Sequence, residues 1–304
     1  MNADGTMDFL TGSFDGGPYF IEGLGEGRFA APRPILDEEG KRILICAYWS
    51  YDEKKWTQLE AARYPKEHAI SVTAVDWDDD GDFDLLLGAR SGNLFLRLNQ
   101  GSAEKAVFTS QEERVSAGKS RVAIPGGGAM VVTADWDVDG KWDIVAGSNT
   151  GAVYWLRNVG RKGDPRFSEA SKLVNEAPQS AADDGETVRP GTRVQVSVGD
   201  YNADGLPDLL MGDNHSQIVK GTEFTPEKRT RYDELRTELR SVSAQLTALS
   251  EKSGEGGAAA SSPERDKIEK RRKEILEELT SLRPKMARHG WVWLFERRST
   301  SRDR

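Results

Sequence analysis

The chain has 304 residues, with 42 Lys and Arg against 50 Asp and Glu and a formal net charge of -8. That is enough for one or two packed domains, and the wrong sign for a protein that grips nucleic acid by neutralising phosphates. Only 37% of the residues are hydrophobic and no stretch reaches the ~20 consecutive apolar residues of a membrane-spanning helix, so neither nucleic acid nor membrane insertion is expected.

The single cysteine, Cys46, lies in the apolar run Ile43 to Ala47 and reads as a small buried hydrophobe; alone, it excludes an internal disulfide framework and a cysteine zinc cluster. The first residues hold an incomplete copy of a pattern that returns three times. Asn2, Ala3, Asp4, Gly5, Asp8, Phe9, Leu10 and Gly12 match positions three, four, five, six, nine, ten, eleven and thirteen of D-x-[DN]-x-D-G-x-x-D-Φ-Φ-x-G, where Φ is apolar. Position one would fall before Met1, which leads us to expect a natural product that starts upstream with an export signal. No basic stretch followed by an apolar one opens the chain as given.

The complete copies are DWDDDGDFDLLLG from Asp76, DWDVDGKWDIVAG from Asp135 and DYNADGLPDLLMG from Asp200. Each follows a run that reads as a strand: Ile70 to Val75, Ala129 to Ala134 and Val194 to Val198. Each runs from its ninth-position Asp into an apolar triplet, Leu85 to Leu87, Ile144 to Ala146 and Leu209 to Met211. In the first two, a Gly-containing turn, another apolar run (Leu94 to Leu98, Ala152 to Leu156) and an Asn-x-Gly follow. The repeat is therefore strand, acidic loop, strand, turn, strand and a fourth edge strand. Roughly 40 to 65 residues per repeat fits one sheet of a radial array. We expect an all-β β-propeller with its acidic loops on one rim.

Oxygen ligands at alternate positions, followed by a glycine that lets the chain turn sharply, suit a hard cation such as Ca2+. The candidate ligands are Asp76, Asp78, Asp80, Asp82 and Asp84; Asp135, Asp137, Asp139, Lys141 and Asp143; Asp200, Asn202, Asp204, Leu206 and Asp208; and Asn2, Asp4, Thr6 and Asp8. At the seventh position (Thr6, Asp82, Lys141, Leu206) the expected donor is the backbone carbonyl. No Glu closes the loop at position twelve, so an EF-hand is the wrong frame. A single Asp-rich turn would be only a hairpin cap; four with one internal spacing point to a cation, and the larger calcium shell fits such a cage better than magnesium.

The loop pattern, continued by G-x-[LV]-x-x-[LF]-x-N-x-G at Gly92 to Gly101 and Gly151 to Gly160, resembles the FG-GAP and VCBS repeats, relatives of the calcium-binding blades of integrin alpha-subunit propellers. The resemblance implies a calcium-stabilised propeller, at the cell surface, outside the cell or in the periplasm, that binds a protein or glycan ligand on one face. A propeller domain of a polysaccharide-active enzyme and a purely structural segment of a larger surface protein are the alternatives. No catalytic constellation is legible, and the three histidines, His68, His215 and His289, read as ordinary loop residues.

From Pro226 the composition turns to Glu, Lys, Arg and Leu. Tyr232, Leu235, Leu239, Val242, Leu246 and Leu249 form one coiled-coil seam and Ile268, Ile275, Leu279, Leu282 and Met286 a second, separated by a Gly, Ala and Ser linker from Ser253 to Ser262. An antiparallel helical hairpin over 226–287 is expected, either a solvated decoration or a partner-binding or self-associating arm. Residues 290–297 match 151–158, the strand that should follow the fourth loop. The hairpin then interrupts the fourth repeat, with propeller sequence at 1–225 and again at 288–304.

Overall fold

The computed structural model describes residues 2–45, 47–58, 67–117, 120–177, 190–252 and 263–298. Cys46 and the Ser253 to Ser262 linker lie outside these residues. Over the described residues the chain is mostly β, in several small antiparallel sheets, with two helices. It divides into two compact units. The first holds the described residues of 1–179, 188–215 and 290–304, and the second those of 216–289.

Four sheets of the first unit carry the repeats. Sheet one contains Phe9–Gly12, Pro18–Ile21 and Arg33–Pro34; sheet two Ala69–Val75, Asp84–Ala89, Leu94–Arg97 and Glu113–Arg114. Sheet three contains Met130–Ala134, Asp143–Gly147, Val153–Leu156 and Ser171–Val174; sheet four Thr192–Gly199, the long strand Asp208–Ile218 and Val292–Phe295. The strands before each complete loop fall where the apolar runs place them. The hairpin Ala47–Ser50 with Lys55–Gln58 was not read from the sequence; paired aromatics hold it, with Trp49 opposite Trp56 at a ring separation of 5.9 Å.

In sheets two and three the apolar triplets are continuous rather than alternating because these sheets are covered on both faces. Successive side chains of a strand point to opposite sides. In sheet two, Leu85, Leu87 and Phe95 pack with Phe20, Ile35, Ile43 and Ile45, in a core that includes sheet one. Leu86, Leu94 and Leu96, on the opposite face, pack with Val131, Ile144, Ala146, Tyr154 and Leu156 of sheet three. The other face of sheet three brings Val145, Val153 and Trp155 against Val194, Leu209, Met211 and Trp293 of sheet four. The sheets therefore pack in chain order through three interfaces, the forward face of each of sheets one to three against the rear face of its successor.

Strand register places Val292–Phe295 as the third strand of sheet four. Leu209 and Leu210 pair with Phe295 and Leu294, as Ile144 and Val145 pair with Leu156 and Trp155.

The second unit contains the helices Pro226–Lys252 and Pro263–Leu282 and the strand Met286–His289. Thr225 caps the first helix, its hydroxyl accepting the Lys228 N–H at 3.3 Å. Leu235, Val242, Ile275 and Leu279 are the buried centre between the helices, flanked by Tyr232, Leu239, Ile268 and Leu282. Arg231 pairs with Glu278 and Glu238 with Arg271, so the helices run antiparallel. Neither helix is long and apolar enough to cross a membrane, nor is any other helix among the described residues.

Candidate metal centres

The four acidic loops share one backbone path. Position four is left-handed in every copy, at Ala3, Asp79, Val138 and Ala203 with φ from 51° to 64°, and so is the glycine at position six, at Gly5, Gly81, Gly140 and Gly205. A Cβ on any of these glycines would meet nothing within 4 Å, so glycine is required for the dihedral and not for space. A left-handed non-glycine residue costs about 1–2 kcal/mol, and Val138, being β-branched, is the most strained of the four.

The ninth-position Asp of each loop is a latch. Asp84 is buried and accepts the backbone N–H of Trp77 at 2.8 Å on one oxygen and that of Asn99 at 2.7 Å on the other. Asp143, also buried, accepts Trp136 N–H at 3.2 Å, Asn158 N–H at 2.6 Å and the Trp155 indole N–H at 2.9 Å. Asp208 accepts Tyr201 N–H at 3.0 Å and Arg297 N–H at 2.9 Å, and Asp8 accepts Gly23 N–H at 2.8 Å. Each carboxylate thus ties its own apolar strand to the end of the third strand, and in the complete copies to the start of the loop as well. The far partner lies 15 residues on in three copies and 89 in the fourth, where the second unit intervenes. Sequence reasoning missed this role, although the constant interval of 15 was there to be read.

The remaining candidates differ from loop to loop. Asp76, Asp78 and Asp80 bring carboxylate oxygens within 4.8 Å of one another. One oxygen of Asp76 and one of the buried Asp82 are shielded from solvent without a hydrogen-bond partner among the described residues. Among the described residues no Lys or Arg pairs with Asp76, Asp78 or Asp80; Lys162 meets only Asp79, outside the ligand pattern, at 2.7 Å. Burial, and then the neighbouring carboxylates led by Asp80, push the carboxyls of Asp78 and Asp82 up. Burial pushes Asp84 to about 6 despite its two backbone donors. This loop holds more negative charge than its own residues neutralise.

In the second complete loop Asp135, Asp137 and Asp143 converge within 4.8 Å, and Asp139 is not part of the cluster. Asp137 keeps one buried, unpartnered oxygen, while its other oxygen meets Arg157 Nε at 2.5 Å. Asp139 is bridged by Lys141 at 3.1 Å and Arg157 at 3.3 Å; although burial works against it, these cations hold its carboxyl below the usual range. The Lys141 ammonium, seventh in the pattern, thus compensates the loop's charge. Neither it nor Arg157 was foreseen as a counter-ion.

The outer copies are satisfied locally. Asp200 accepts the N–H groups of Asp204 and Gly205, Asn202 and Asp204 hydrogen-bond each other, and Asp204 accepts Leu206 N–H. At the opening copy, Asp4 takes the Thr6 hydroxyl, its backbone N–H and the Asn2 amide; the hydroxyl first, then the N–H, holds its carboxyl below the usual range.

The aromatics at positions two and eight divide. Trp77 and Trp142, from different repeats, lie 5.2 Å apart and share Phe167, while Trp136 joins the core between sheets three and four. Phe83 and Tyr201 remain exposed.

Residues 135–211, from the second complete loop through the third, match the family model described as FG-GAP-like repeat. The chain carries an FG-GAP-like repeat. Among curated proteins none matches it. The FG-GAP-like match spans both latches, at Asp143 and Asp208, and the apolar strands that follow them.

Proposed function

We propose that the protein is a calcium-binding, propeller-type interaction module without catalytic activity, presented outside the cell or at its surface, whose ligand is a protein or a glycan. The observation that carries the calcium reading is the loop at Asp76 to Asp84. Three carboxylates converge there, and two buried oxygens have neither a donor nor an ion pair among the described residues. Unpaired buried charge costs several kcal/mol, and a divalent cation with oxygen ligands is the natural compensation. Asp76, Asp78 and Asp80 would hold the ion, with Asp82 beside them and Asp84 as the latch behind. Asp135 and Asp137 form a weaker second site, since a cation there must displace Arg157.

The FG-GAP-like match and the face-to-face packing of successive sheets support a propeller-type arrangement. The surface or extracellular setting rests on that family likeness. Isothermal calorimetry with calcium, alongside melting with calcium or chelator, tests the reading. At least one ion per chain should bind with a dissociation constant on the order of 0.1 to 1 mM and raise the melting temperature by mass action. Asp78→Asn should remove the tighter site. No calcium binding, or binding unaffected by Asp78→Asn, would refute the assignment.

A further inference from the structure

Sheet four is built for cover on both faces and, among the described residues, has it on one. Its middle strand carries the apolar triplet Leu209, Leu210 and Met211, and its third strand is apolar at every position from Val292 to Phe295. Leu209, Met211 and Trp293 are packed against sheet three. The opposite face presents Leu210, half-buried, with Val292 73% and Leu294 48% exposed.

Register identifies the counterparts of these three side chains. Leu210 pairs with Leu294 and Gly212 with Val292, as Leu86 pairs with Leu96 and Gly88 with Leu94, and as Val145 pairs with Trp155 and Gly147 with Val153. Leu86, Leu94 and Leu96 are the forward face of sheet two, buried under sheet three; Val145, Val153 and Trp155 are that of sheet three, under sheet four. The glycines agree. A Cβ on Gly88 would overlap the Ala129 carbonyl, and one on Gly147 the Val194 carbonyl, each from the next sheet's side. A Cβ on Gly212 would meet nothing within 4 Å. The forward face of sheet four therefore repeats an interface already made twice within this chain.

The complementary surface is the rear face of a repeat. Sheets two, three and four have theirs covered. Sheet one exposes Phe9, the counterpart of the fully buried Leu85, at 49%, with Phe29 stacked on it at 4.7 Å and the half-buried Tyr19 beside the exposed Thr11. Among the described residues no strand flanks the Phe9–Gly12 strand on the side where sheets two to four have their first strand.

We infer that the forward face of sheet four docks the rear face of sheet one of a second copy, head to tail. It continues the interface that joins consecutive sheets within the chain, and it covers two apolar surfaces at once. Such a contact is heterologous, so it gives a ring if the rotation closes and an open chain if it does not.

Sedimentation velocity on the full chain across the micromolar range tests this, with calcium and with chelator. Val292→Lys and Phe9→Lys, both at exposed positions, should each weaken association at least about tenfold, because each places an unpaired charge in an apolar contact. Near-ultraviolet circular dichroism and calcium binding of both variants should match the unchanged protein. Mixed together, the two variants should form a heterodimer, since one intact face of each kind survives. A monomer at all concentrations would overturn the proposal. So would association insensitive to either variant, as contact through the helices would give, or association broken by Val292→Lys alone, as a symmetric contact would give. Equally damaging would be the absence of a heterodimer in the mixture.

Discussion

Replacing the latch carboxylate at Asp143 with alanine separates the two jobs that acidic residues perform in these loops. The Asp143 side chain is fully buried and accepts three hydrogen bonds, from Trp136 N–H, Asn158 N–H and the Trp155 indole. Truncation leaves three donors without an acceptor, the Asn158 bond buried and the other two partly so, at about 1–3 kcal/mol each when fully buried, so a loss of about 3–6 kcal/mol is expected, allowing for partial relief by water. Against a total stability of about 5–15 kcal/mol for a domain, that is enough to unfold the repeat or leave it marginal. Tryptophan fluorescence against urea reads the change directly, because Trp136 and Trp155 are bonded to the latch. The decisive feature is that the loss should appear in chelator as well as in calcium. Asp78→Asn is the contrasting variant. It should be neutral or stabilising in chelator, where its carboxyl sits among Asp80 and Asp76, and should abolish the rise that calcium brings. If the Asp143→Ala loss appeared only with calcium, or if Asp78→Asn destabilised the chelated protein as much, the division into latch and ligand would be wrong.

Three further outcomes follow from the same geometry. The buried Asp84 has its carboxyl raised from 3.8 to about 6, so the native state holds this proton more tightly than the unfolded chain does. In chelator this group's contribution is fully present below pH 4 and is lost as pH rises through about 6, a change of about 3 kcal/mol at 1.36 kcal/mol per unit; urea midpoints over that window should fall, and saturating calcium should flatten the fall. Val138→Gly, which relieves a β-branched residue at φ 61°, should stabilise by about 0.5–1 kcal/mol, whereas Gly140→Ala at φ 83° should cost about 1 kcal/mol, both by thermal melting. Gly147→Ala should cost about 1–3 kcal/mol because its methyl must push sheet four away, while Gly212→Ala should stay within about 0.5 kcal/mol in dilute protein.

The sequence by itself determined the local elements. Period and spacing located the four loops, the apolar strands after Asp84, Asp143 and Asp208, the seam of each helix, and the match of 290–297 to 151–158, because each depends on residues close in the chain or repeated in it; the second seam was read one residue too far, since the helix ends at Leu282 and Met286 opens a strand with its side chain exposed. The likeness to FG-GAP repeats was legible for the same reason. What only the tertiary structure decided is which carboxylates carry hydrogen bonds and ion pairs of their own. Position nine read as one more ligand, and Asp143 does stand with Asp135 and Asp137, but its oxygens also accept N–H groups brought over from the third strand, 15 residues away in most copies and 89 in the last. Arg157 lies outside the ligand pattern and Lys141 entered it only through its carbonyl, yet their cationic ends settle on Asp137 and Asp139, where a cation would have to compete with them. Likewise Leu86 and Leu210 are equivalent letters in the repeat, and only the packing of whole sheets makes one fully buried and leaves the other half-covered. Hydrogen-bond partners and sheet neighbours depend on distance in space, which periodicity along the chain does not encode.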